Sequence, residues 1–212
     1  SPLVIKADGL AAGKGVAVCK ALEDQKAALK EMMITRAFGD AANKVIVEEC
    51  LTGEEASIIV ISDGKNVVPL ASSQDHKRVF DSDKGPNTGG MGAYSPAPSI
   101  TNDVLKNILD TCVLPVIRGL AAEGKPYKGV LYAGIMLTEK GPYVLEFNAR
   151  FGDPETQAIM PRLKSDLVEL MERAIDGKLE GVTLQWDPRP CVSVVIASGG
   201  YPKSFKKGAD IS

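Results

Sequence analysis

The sequence predicts an α+β fold in which short strands pair with strands close to them along the chain. Apolar, β-rich runs at residues 3–7 and 16–19 are joined by a glycine loop, a pattern typical of a β-hairpin. Residues 131–137 and 143–147 form a second such pair. Between the two pairs, residues 101–120 carry apolar side chains at i, i+4 spacing, which favours an amphipathic helix.

The remainder of the first half predicts a helix, further strands and a long loop. Apolar positions near one helical face follow the hairpin: Leu22, Leu29, Met32 and Met33. Strands are predicted at residues 45–49, 56–62 and 66–70, and the turn at residues 63–65 joins the last two. Residues 72–98 are polar and glycine-rich without a helix or strand pattern, so we expect a functional or disordered loop.

Capping and breaking residues mark the helices of the second half. They are Thr101 as a cap, Pro115 as a kink, Asp153 as a cap before Pro154 at the first helical position, and Gly177 as the end of a helix over residues 165–175. Residues 191–197 are apolar and predict a buried strand. No internal repeat is present in the sequence.

Composition limits the classes of function. The chain has 212 residues, of which 44% are hydrophobic and 25% charged, enough for a sizeable soluble core. A net charge of -2 with scattered Lys and Arg residues gives no basic surface for nucleic acid, and no apolar run is long enough to span a membrane.

The 4 cysteines lack the spacing of a metal site or a disulfide framework, which predicts a cytoplasmic protein with reduced thiols. The strand-like start without Met and the abrupt end predict a fragment of a longer protein.

Glu146 and Asn148 are the strongest candidate for a metal site. If the alternation of the preceding strand continues, both side chains point to one face and Phe147 to the other. A carboxylate and an amide oxygen at i and i+2 suit Mg²⁺, which takes few protein ligands. The alternative is a strand that leaves the core with both side chains merely solvated.

Residues 9–15 form a glycine loop between two strands. A P-loop is excluded because only three residues separate Gly9 from Gly13 and because Gly15 follows the lysine. A dinucleotide-binding turn is excluded because a strand, not a helix, follows. The loop could close over phosphates with help from Lys6 and Lys14, or it could be an ordinary hairpin with solvated lysines.

Residues 48–51 lie where a predicted strand ends. Unpaired backbone groups at a strand exit suit the edge of adenine, and a nearby carboxylate suits ribose hydroxyls. The alternative is a solvated acidic turn.

Three longer motifs then identify a resemblance. Residues 74–78 read QDHKR, residues 85–96 read GPNTGGMGAYSP and residues 150–155 read RFGDPE. With the glycine loop, the strand exit and the Glu146/Asn148 pair in this order, the chain resembles the ATP-grasp superfamily and, within it, the glycinamide ribonucleotide synthetase family. The similarity covers essentially the whole chain.

The resemblance implies an ATP-grasp fold with a small lid subdomain at residues 1–52 and a larger antiparallel-sheet body at residues 53–198. Residues 199–212 would begin a truncated C-terminal region, and an N-terminal domain would also be missing. The implied enzyme is an ATP-dependent carbon-nitrogen ligase of de novo purine biosynthesis. It joins glycine to 5-phosphoribosylamine through glycyl phosphate, and the parent chain could be fused to other purine-pathway domains.

The resemblance also assigns roles by position. The metal, Mg²⁺ with Mn²⁺ as an alternative, would be held by Glu146 and Asn148. The residues implied to bind ATP are Lys6, Gly13, Lys14, Gly15, Glu48, Glu49, Cys50, Leu51, Glu55, Arg78 and Asn87. The residues implied to bind substrate are Asp75, His76, Lys77, Thr88, Gly89, Gly90, Arg150, Asp153 and Glu155. Lys6 and Arg150 would be catalytic, since they neutralise charge on the transferring phosphoryl group and on the glycine carboxylate.

Several alternatives stay open from the sequence. Arg150 could instead form a structural ion pair with Asp153 or Glu155, and His76 could orient the amine nucleophile or bond within its own loop. Another ATP-grasp carboxylate-amine ligase is a near rival function. A non-catalytic nucleotide-binding module is the rival from a different class.

Overall fold

A hairpin, a third strand and a helix build the first part of the chain. The computed structural model of the protein describes residues 1–11, 15–82, 84–208 and 210. β1 (Leu3–Ala7) lies between β2 (Val16–Cys19) and β3 (Val45–Glu49), and both neighbours are antiparallel to it. The hairpin and the third strand are therefore as the sequence predicts.

The helix of this first unit starts at a local cap. α1 (Leu22–Leu29) begins where the Asp24 carboxylate accepts the backbone N–H groups of Lys20 and Ala21. It continues as a π-helix over Lys30–Ile34. The helix closes a small core against the sheet, made of Ile5, Cys19, Ala28, Met32 and Ala42.

The chain divides into two units. Residues 1–52 together with Asn87–Gly89 form the small unit, and residues 53–86 and 90–212 form the large unit. The strands of the rest of the chain are β4 (Glu54–Asp63), β5 (Val67–Pro69), β6 (Gln74–Asp75), β7 (Arg78–Phe80), β8 (Lys84–Asn87), β9 (Gly92–Ser95), β10 (Lys128–Thr138), β11 (Gly141–Asn148) and β12 (Cys191–Val194). Its helices are α2 (Asn102–Ile108), α3 (Leu114–Ala122), α4 (Glu155–Ile159) and α5 (Leu167–Asp176).

The main sheet of the large unit has the order β11-β10-β4-β5, with antiparallel neighbours throughout. Both of its faces are covered, so β4 is a nearly continuous apolar run. Ile58, Val60 and Leu131 belong to one buried cluster, which includes residues of α2 and α3. Ile59 and Tyr132 belong to a second cluster on the opposite face, which includes residues of α5.

The helices largely follow the predicted boundaries. Thr101 caps α2 by accepting the backbone N–H of Val104 at 3.3 Å. A π-helix over Leu109–Val113 separates α2 from α3, and Pro115 lies in the first turn of α3. Asp166 caps α5, and Gly177 ends it with a φ of 75°, in the left-handed region that favours glycine.

Two structural predictions for loops and helix starts are wrong. Residues 72–98 are not without secondary structure, because β6 to β9 lie within them. These strands have two to four residues each, too short to leave an alternating pattern. The helix predicted from Pro154 begins at Glu155 instead, because Pro154 has non-helical backbone angles of -96° and 15°.

The prediction of a buried strand at residues 191–197 is also wrong. β12 ends at Val194 and lies at the edge of a sheet with the order β12-β9-β6. Val192 and Val194 are 70% and 76% exposed, whereas Cys191 and Ser193 are partly buried. Only alternate side chains of this strand pack against the described part of the chain.

None of the helices in the described residues is long and apolar enough to cross a membrane.

Candidate active site

Polar side chains gather on one face of the main sheet. Residues that lie directly opposite each other in antiparallel strands share a face. Across β11, β10 and β4, one row consists of Glu146, Gly134 and Ser57, and the next consists of Asn148, Tyr132 and Ile59. We call the side of the sheet that carries these two rows the site face. Both predicted metal ligands therefore lie on it.

Phe147 points to the opposite side of the main sheet. Its side chain packs against the buried cluster that contains Ile58, Leu131 and Ala133. The predicted division between Glu146 and Asn148 on one side and Phe147 on the other is therefore correct.

A β-bulge puts Glu146 on the site face, and the sequence did not reveal it. The register changes from Gly134 opposite Glu146 to Ile135 opposite Val144, so Leu145 is the inserted residue. Val144 and Glu146, two positions apart, consequently lie on opposite faces. The assumption that alternation continues unbroken through residues 143–147 is wrong, because a bulge reverses it.

A buried hydrogen-bond network includes two residues of the site face, Ser57 and Tyr132. The Ser57 hydroxyl donates to Oε1 of Glu155 at 2.9 Å and lies 3.0 Å from the Tyr132 hydroxyl. Glu155 is only 2% exposed, and a Cβ on Gly152 would lie 2.6 Å from its Oε2. Burial and the nearby carboxylates of Glu155 and Asp75 raise the pKa of Tyr132, which keeps the phenol protonated.

Lys77 lies close to two carboxylates of the large unit. Its ammonium lies 3.4 Å from Oε2 of Glu55 and 3.7 Å from Oδ2 of Asp75. Burial lowers the pKa of Lys77, but the charges of Asp75, Glu55 and Glu146 outweigh it and raise the pKa, so the ammonium stays charged. A positive charge at this position offsets the repulsion between these acidic groups.

Asp75 is a carboxyl group of this cluster with a raised pKa. Burial raises its pKa to about 6, and the charges of Glu155 and Glu55 add to the rise. The charge of Lys77 opposes them. The structure thus brings three of the predicted site carboxylates, Asp75, Glu55 and Glu146, close to Lys77.

Other predicted residues of the large unit have separate partners. Arg150 is exposed and donates to the Phe151 carbonyl at 2.8 Å, and it makes no ion pair within the described part of the chain. Asp153 accepts from Nε2 of Gln157 at 2.7 Å, and Arg78 donates to the Gly85 carbonyl at 2.6 Å. The alternative in which Arg150 pairs with Asp153 or Glu155 is therefore not observed.

His76 is held inside its loop. Its backbone N–H donates to the Gly92 carbonyl, its own carbonyl accepts from Met91, and its ring centroid lies 5.6 Å from that of Tyr94. These contacts hold the backbone of His76, so both roles predicted for its imidazole stay predictions. Gly90 is close to Pro154, since a Cβ on Gly90 would lie 2.4 Å from the Pro154 Cδ.

The predicted site residues of the small unit lie on its sheet and at the end of β3. The ammonium of Lys6 is 2.5 Å from Oε2 of Glu48, across the β1–β3 pair. Glu49 ends β3, and Cys50 and Leu51 follow it half-buried. The Gly15 carbonyl accepts the backbone N–H of Ala7 at 2.8 Å.

Three more of the predicted positions, Asn87, Thr88 and Gly89, belong to the small unit. Gly13 and Lys14 lie outside the described residues.

The side-chain oxygens of Glu146 and Asn148 are of the type that small hard cations prefer. No group of three or more His, Cys, Asp or Glu side chains within residues 1–11, 15–82, 84–208 and 210 could hold a metal ion. Glu146 and Asn148 offer one carboxylate and one amide oxygen, and Mg²⁺ is usually bound through one or two protein ligands plus water and substrate phosphates.

Sequence reasoning missed Ser57, Tyr132 and Gly134. Each is a polar or small residue within an apolar strand, in the segments ASIIV and LYAGIM. That irregularity is the only signal the sequence carries. Their roles depend on the register between strands 75 residues apart in sequence, as in the Ser57–Tyr132 contact.

Comparison with known proteins links this geometry to one family. Residues 1–156 match the sequence family described as phosphoribosylglycinamide synthetase, ATP-grasp (A) domain. The chain is 57% identical over 213 aligned positions to the phosphoribosylamine–glycine ligase of Vibrio vulnificus, covering 100% of this chain and 50% of that protein. It is 58% identical over 209 positions to the protein of the same name from Pseudomonas aeruginosa, covering 98% and 49%.

A solved structure shows the same fold. The phosphoribosylamine–glycine ligase of Thermotoga maritima matches with a TM-score of 0.80 and 36% sequence identity, covering 98% of this chain and 52% of that one. The chain therefore spans about half the length of the relatives it matches.

Proposed function

Because this chain belongs to the phosphoribosylglycinamide synthetase ATP-grasp (A) domain family, we propose that it is the ATP-binding part of a phosphoribosylamine–glycine ligase. The complete enzyme would join glycine to 5-phosphoribosylamine and convert ATP to ADP and phosphate in the cytoplasm. Identity of 57% over the whole chain to a relative of that name supports this proposal. The free cysteines agree with a reducing compartment.

The site face is the single observation that carries the proposal. Glu146 and Asn148 lie side by side on it, next to a cluster of charged residues that includes Lys77. These two residues would hold Mg²⁺, which when bound neutralises negative charge on ATP phosphates. Mn²⁺ has similar ligand preferences and could replace it.

The chemistry requires activation of a carboxylate. A free carboxylate resists attack by an amine, whereas glycyl phosphate has phosphate as a leaving group. Formation of this acyl phosphate consumes the terminal phosphoryl group of ATP, and the amine of phosphoribosylamine then displaces phosphate. The protein would mainly position the reactants and offset the developing negative charge.

The small unit would contribute to nucleotide binding. We assign Lys6 to the ATP phosphates, the segment 48–51 to adenine, and residues 13–15 to the phosphate-covering loop. Lys6 is paired with Glu48 at 2.5 Å, so phosphate binding would exchange one anionic partner for another. Such an exchange avoids leaving the ammonium without a counter-charge. Asn87, Thr88 and Gly89 would also contact nucleotide or substrate.

The large unit would contribute most of the residues that bind glycine and 5-phosphoribosylamine. Arg150 is exposed, and its guanidinium matches the two oxygens of the glycine carboxylate or its acyl phosphate. Glu55 would bind the ribose of ATP, and Arg78 would contact the nucleotide. The other residues assigned to substrate are Asp75, His76, Lys77, Gly90, Asp153 and Glu155.

The test is a coupled assay of ADP formation by the full-length polypeptide. We expect ADP release that requires both glycine and 5-phosphoribosylamine, and a large loss in Arg150→Met. Arg118→Met, at an exposed arginine of α3, is the matched control and should keep full activity. Nucleotide binding without turnover would instead indicate a binding module, and turnover with a different amine would indicate another carboxylate-amine ligase.

A further inference from the structure

Gly134 lies directly opposite Glu146 in the β10–β11 pair. A Cβ placed on Gly134 would lie 3.3 Å from Cγ of Glu146, 3.5 Å from Cε1 of Tyr132 and 3.8 Å from the Tyr132 hydroxyl oxygen. The Glu146 side chain and the Tyr132 ring therefore both approach the space that a side chain at position 134 would fill.

The backbone does not explain a glycine at this position. Gly134 does not have the positive φ that would exclude other residues. A glycine within a strand is unfavourable because it adds backbone entropy to the unfolded chain and offers no side chain for packing. The remaining physical reason for a glycine here is that a side chain would take up space that Glu146 occupies.

An added methyl group would only touch Tyr132, because 3.5 Å and 3.8 Å are ordinary van der Waals distances, whereas 3.3 Å to Cγ of Glu146 is too close. Tyr132 is 4% exposed, and its hydroxyl lies 3.0 Å from the Ser57 hydroxyl, which itself donates to the buried Glu155. Glu146 is exposed and belongs to the edge strand of the main sheet. Displacement caused by a side chain at position 134 would consequently fall on Glu146.

We propose that Gly134 is a positioning residue for the carboxylate of Glu146. Because Gly134 has no side chain, the Glu146 side chain can lie over the β10 backbone. The Tyr132 ring, whose hydroxyl is hydrogen-bonded, limits this space on one side. The bulge at Leu145 turns Glu146 toward the site face, and Gly134 sets where on that face its carboxylate lies. This inference rests on the proposed role of Glu146 as a metal ligand.

The experiment measures metal affinity, not only activity. Gly134→Ala is introduced into the full-length polypeptide, and Mn²⁺ binding is followed by electron paramagnetic resonance at a saturating concentration of a non-hydrolysable ATP analogue. We expect Mn²⁺ affinity to fall about ten- to hundredfold, the range for residues that orient a metal ligand. The thermal unfolding midpoint should not fall with it, because alanine suits the strand backbone at least as well as glycine.

Two control variants distinguish the steric effect at position 134 from a methyl group added elsewhere and from loss of the Tyr132 hydroxyl. Gly119→Ala adds the same methyl group in α3, where nothing lies within 4 Å, and should leave Mn²⁺ affinity unchanged. Tyr132→Phe keeps the ring but removes the hydroxyl, and should lower stability more than metal affinity.

A double-mutant cycle decides the mechanism. If Gly134 acts through Glu146, then Gly134→Ala should add no further loss of affinity to Glu146→Ala. An additional loss in the Glu146→Ala background would overturn the inference, and so would native affinity in Gly134→Ala alone. If Glu146→Ala itself binds Mn²⁺ normally, the proposed metal ligand is wrong and this inference falls with it.

Discussion

At the scale of single residues, the buried carboxyl group of Asp75 lies close to the ammonium of Lys77. Lys77 lies within 4 Å of both Glu55 and Asp75, and Asp75 is nearly buried. Removing a carboxylate from water without full compensation favours its protonated form. The pKa of Asp75 is raised for this reason, and the free energy of unfolding should therefore depend on pH.

Asp75 should destabilise the fold as pH rises from 4 to 6. Its pKa is raised from 3.8 to about 6 in the folded chain, mainly by burial. In this window the folded state binds a proton that the unfolded chain has released, so stability is lost as pH rises. Two pKa units correspond to about 3 kcal/mol. Urea unfolding of Asp75→Asn from pH 4 to 7 should lack this loss.

An exposed carboxyl is the control for Asp75. Asp81 lies in the turn after β7, and Asp81→Asn should retain the decline in stability of the unmodified protein. An identical pH profile for Asp75→Asn and the unmodified protein would contradict the prediction.

At the scale of elements, Asp63 joins a turn to a distant segment. Its carboxylate accepts the backbone N–H groups of Lys65 at 2.9 Å and Asn66 at 2.6 Å in the β4–β5 turn. It also accepts the N–H of Leu179, beyond α5, at 3.1 Å. Burial would raise the pKa of Asp63, but these hydrogen bonds outweigh burial and lower it.

Asp63→Ala should destabilise the large unit by about 3 kcal/mol at pH 7, because buried backbone donors lose their acceptor. A lowered pKa contributes stability that is present above the unfolded pKa of 3.8 and is lost as pH falls below about 4. The difference from the unmodified protein should therefore shrink in acid. Chemical denaturation at pH 7 and at pH 3 measures it, with the exposed Asp176→Ala as a variant expected to change little.

The edge position of β12 has a measurable consequence for stability. Val60 in β4 is fully buried, whereas Val194 in β12 is 76% exposed. We expect Val60→Ala to cost about 2 kcal/mol through lost packing, and Val194→Ala to cost less than about 1 kcal/mol. Equal losses in the free energy of unfolding would show that the exposed face of β12 is covered in solution.

At the scale of the whole molecule, each unit has its own buried core. The small unit buries Ile5 and Met32, and the large unit has one apolar cluster on each face of its main sheet. Lys6 in the small unit and Asn148 in the large unit are both proposed above as nucleotide ligands, so each can be tested by the effect of nucleotide on stability.

A non-hydrolysable ATP analogue with Mg²⁺ should stabilise the protein by about 2.7 kcal/mol at a concentration one hundred times its dissociation constant. At the same concentration Lys6→Met and Asn148→Ala should each lose most of this gain. Lys20→Met, at an exposed lysine of the small unit, should keep it. Differential scanning calorimetry with and without analogue gives the comparison, and unchanged stabilisation in all variants would remove these residues from the nucleotide site.

Much of the fold could be predicted because its signals are local. The boundaries of β1, β2 and β3 follow from apolar runs, and the end of α5 follows from Gly177. The strands β6 and β9 could not be predicted, because they are short and are held by pairs such as Gln74 with Tyr94, distant in sequence.

The sequence by itself determined the α+β class, the family, and the pair Glu146 and Asn148 as candidate metal ligands, because these depend on residue types and short spacings. Only the tertiary structure decided which face that pair occupies and what lies beside it. The bulge at Leu145 and the register that sets Gly134 opposite Glu146 are properties of paired strands, not of one segment. A single slip of register would move every side chain of a strand to the other face, so such contacts are fixed only when the whole sheet is packed.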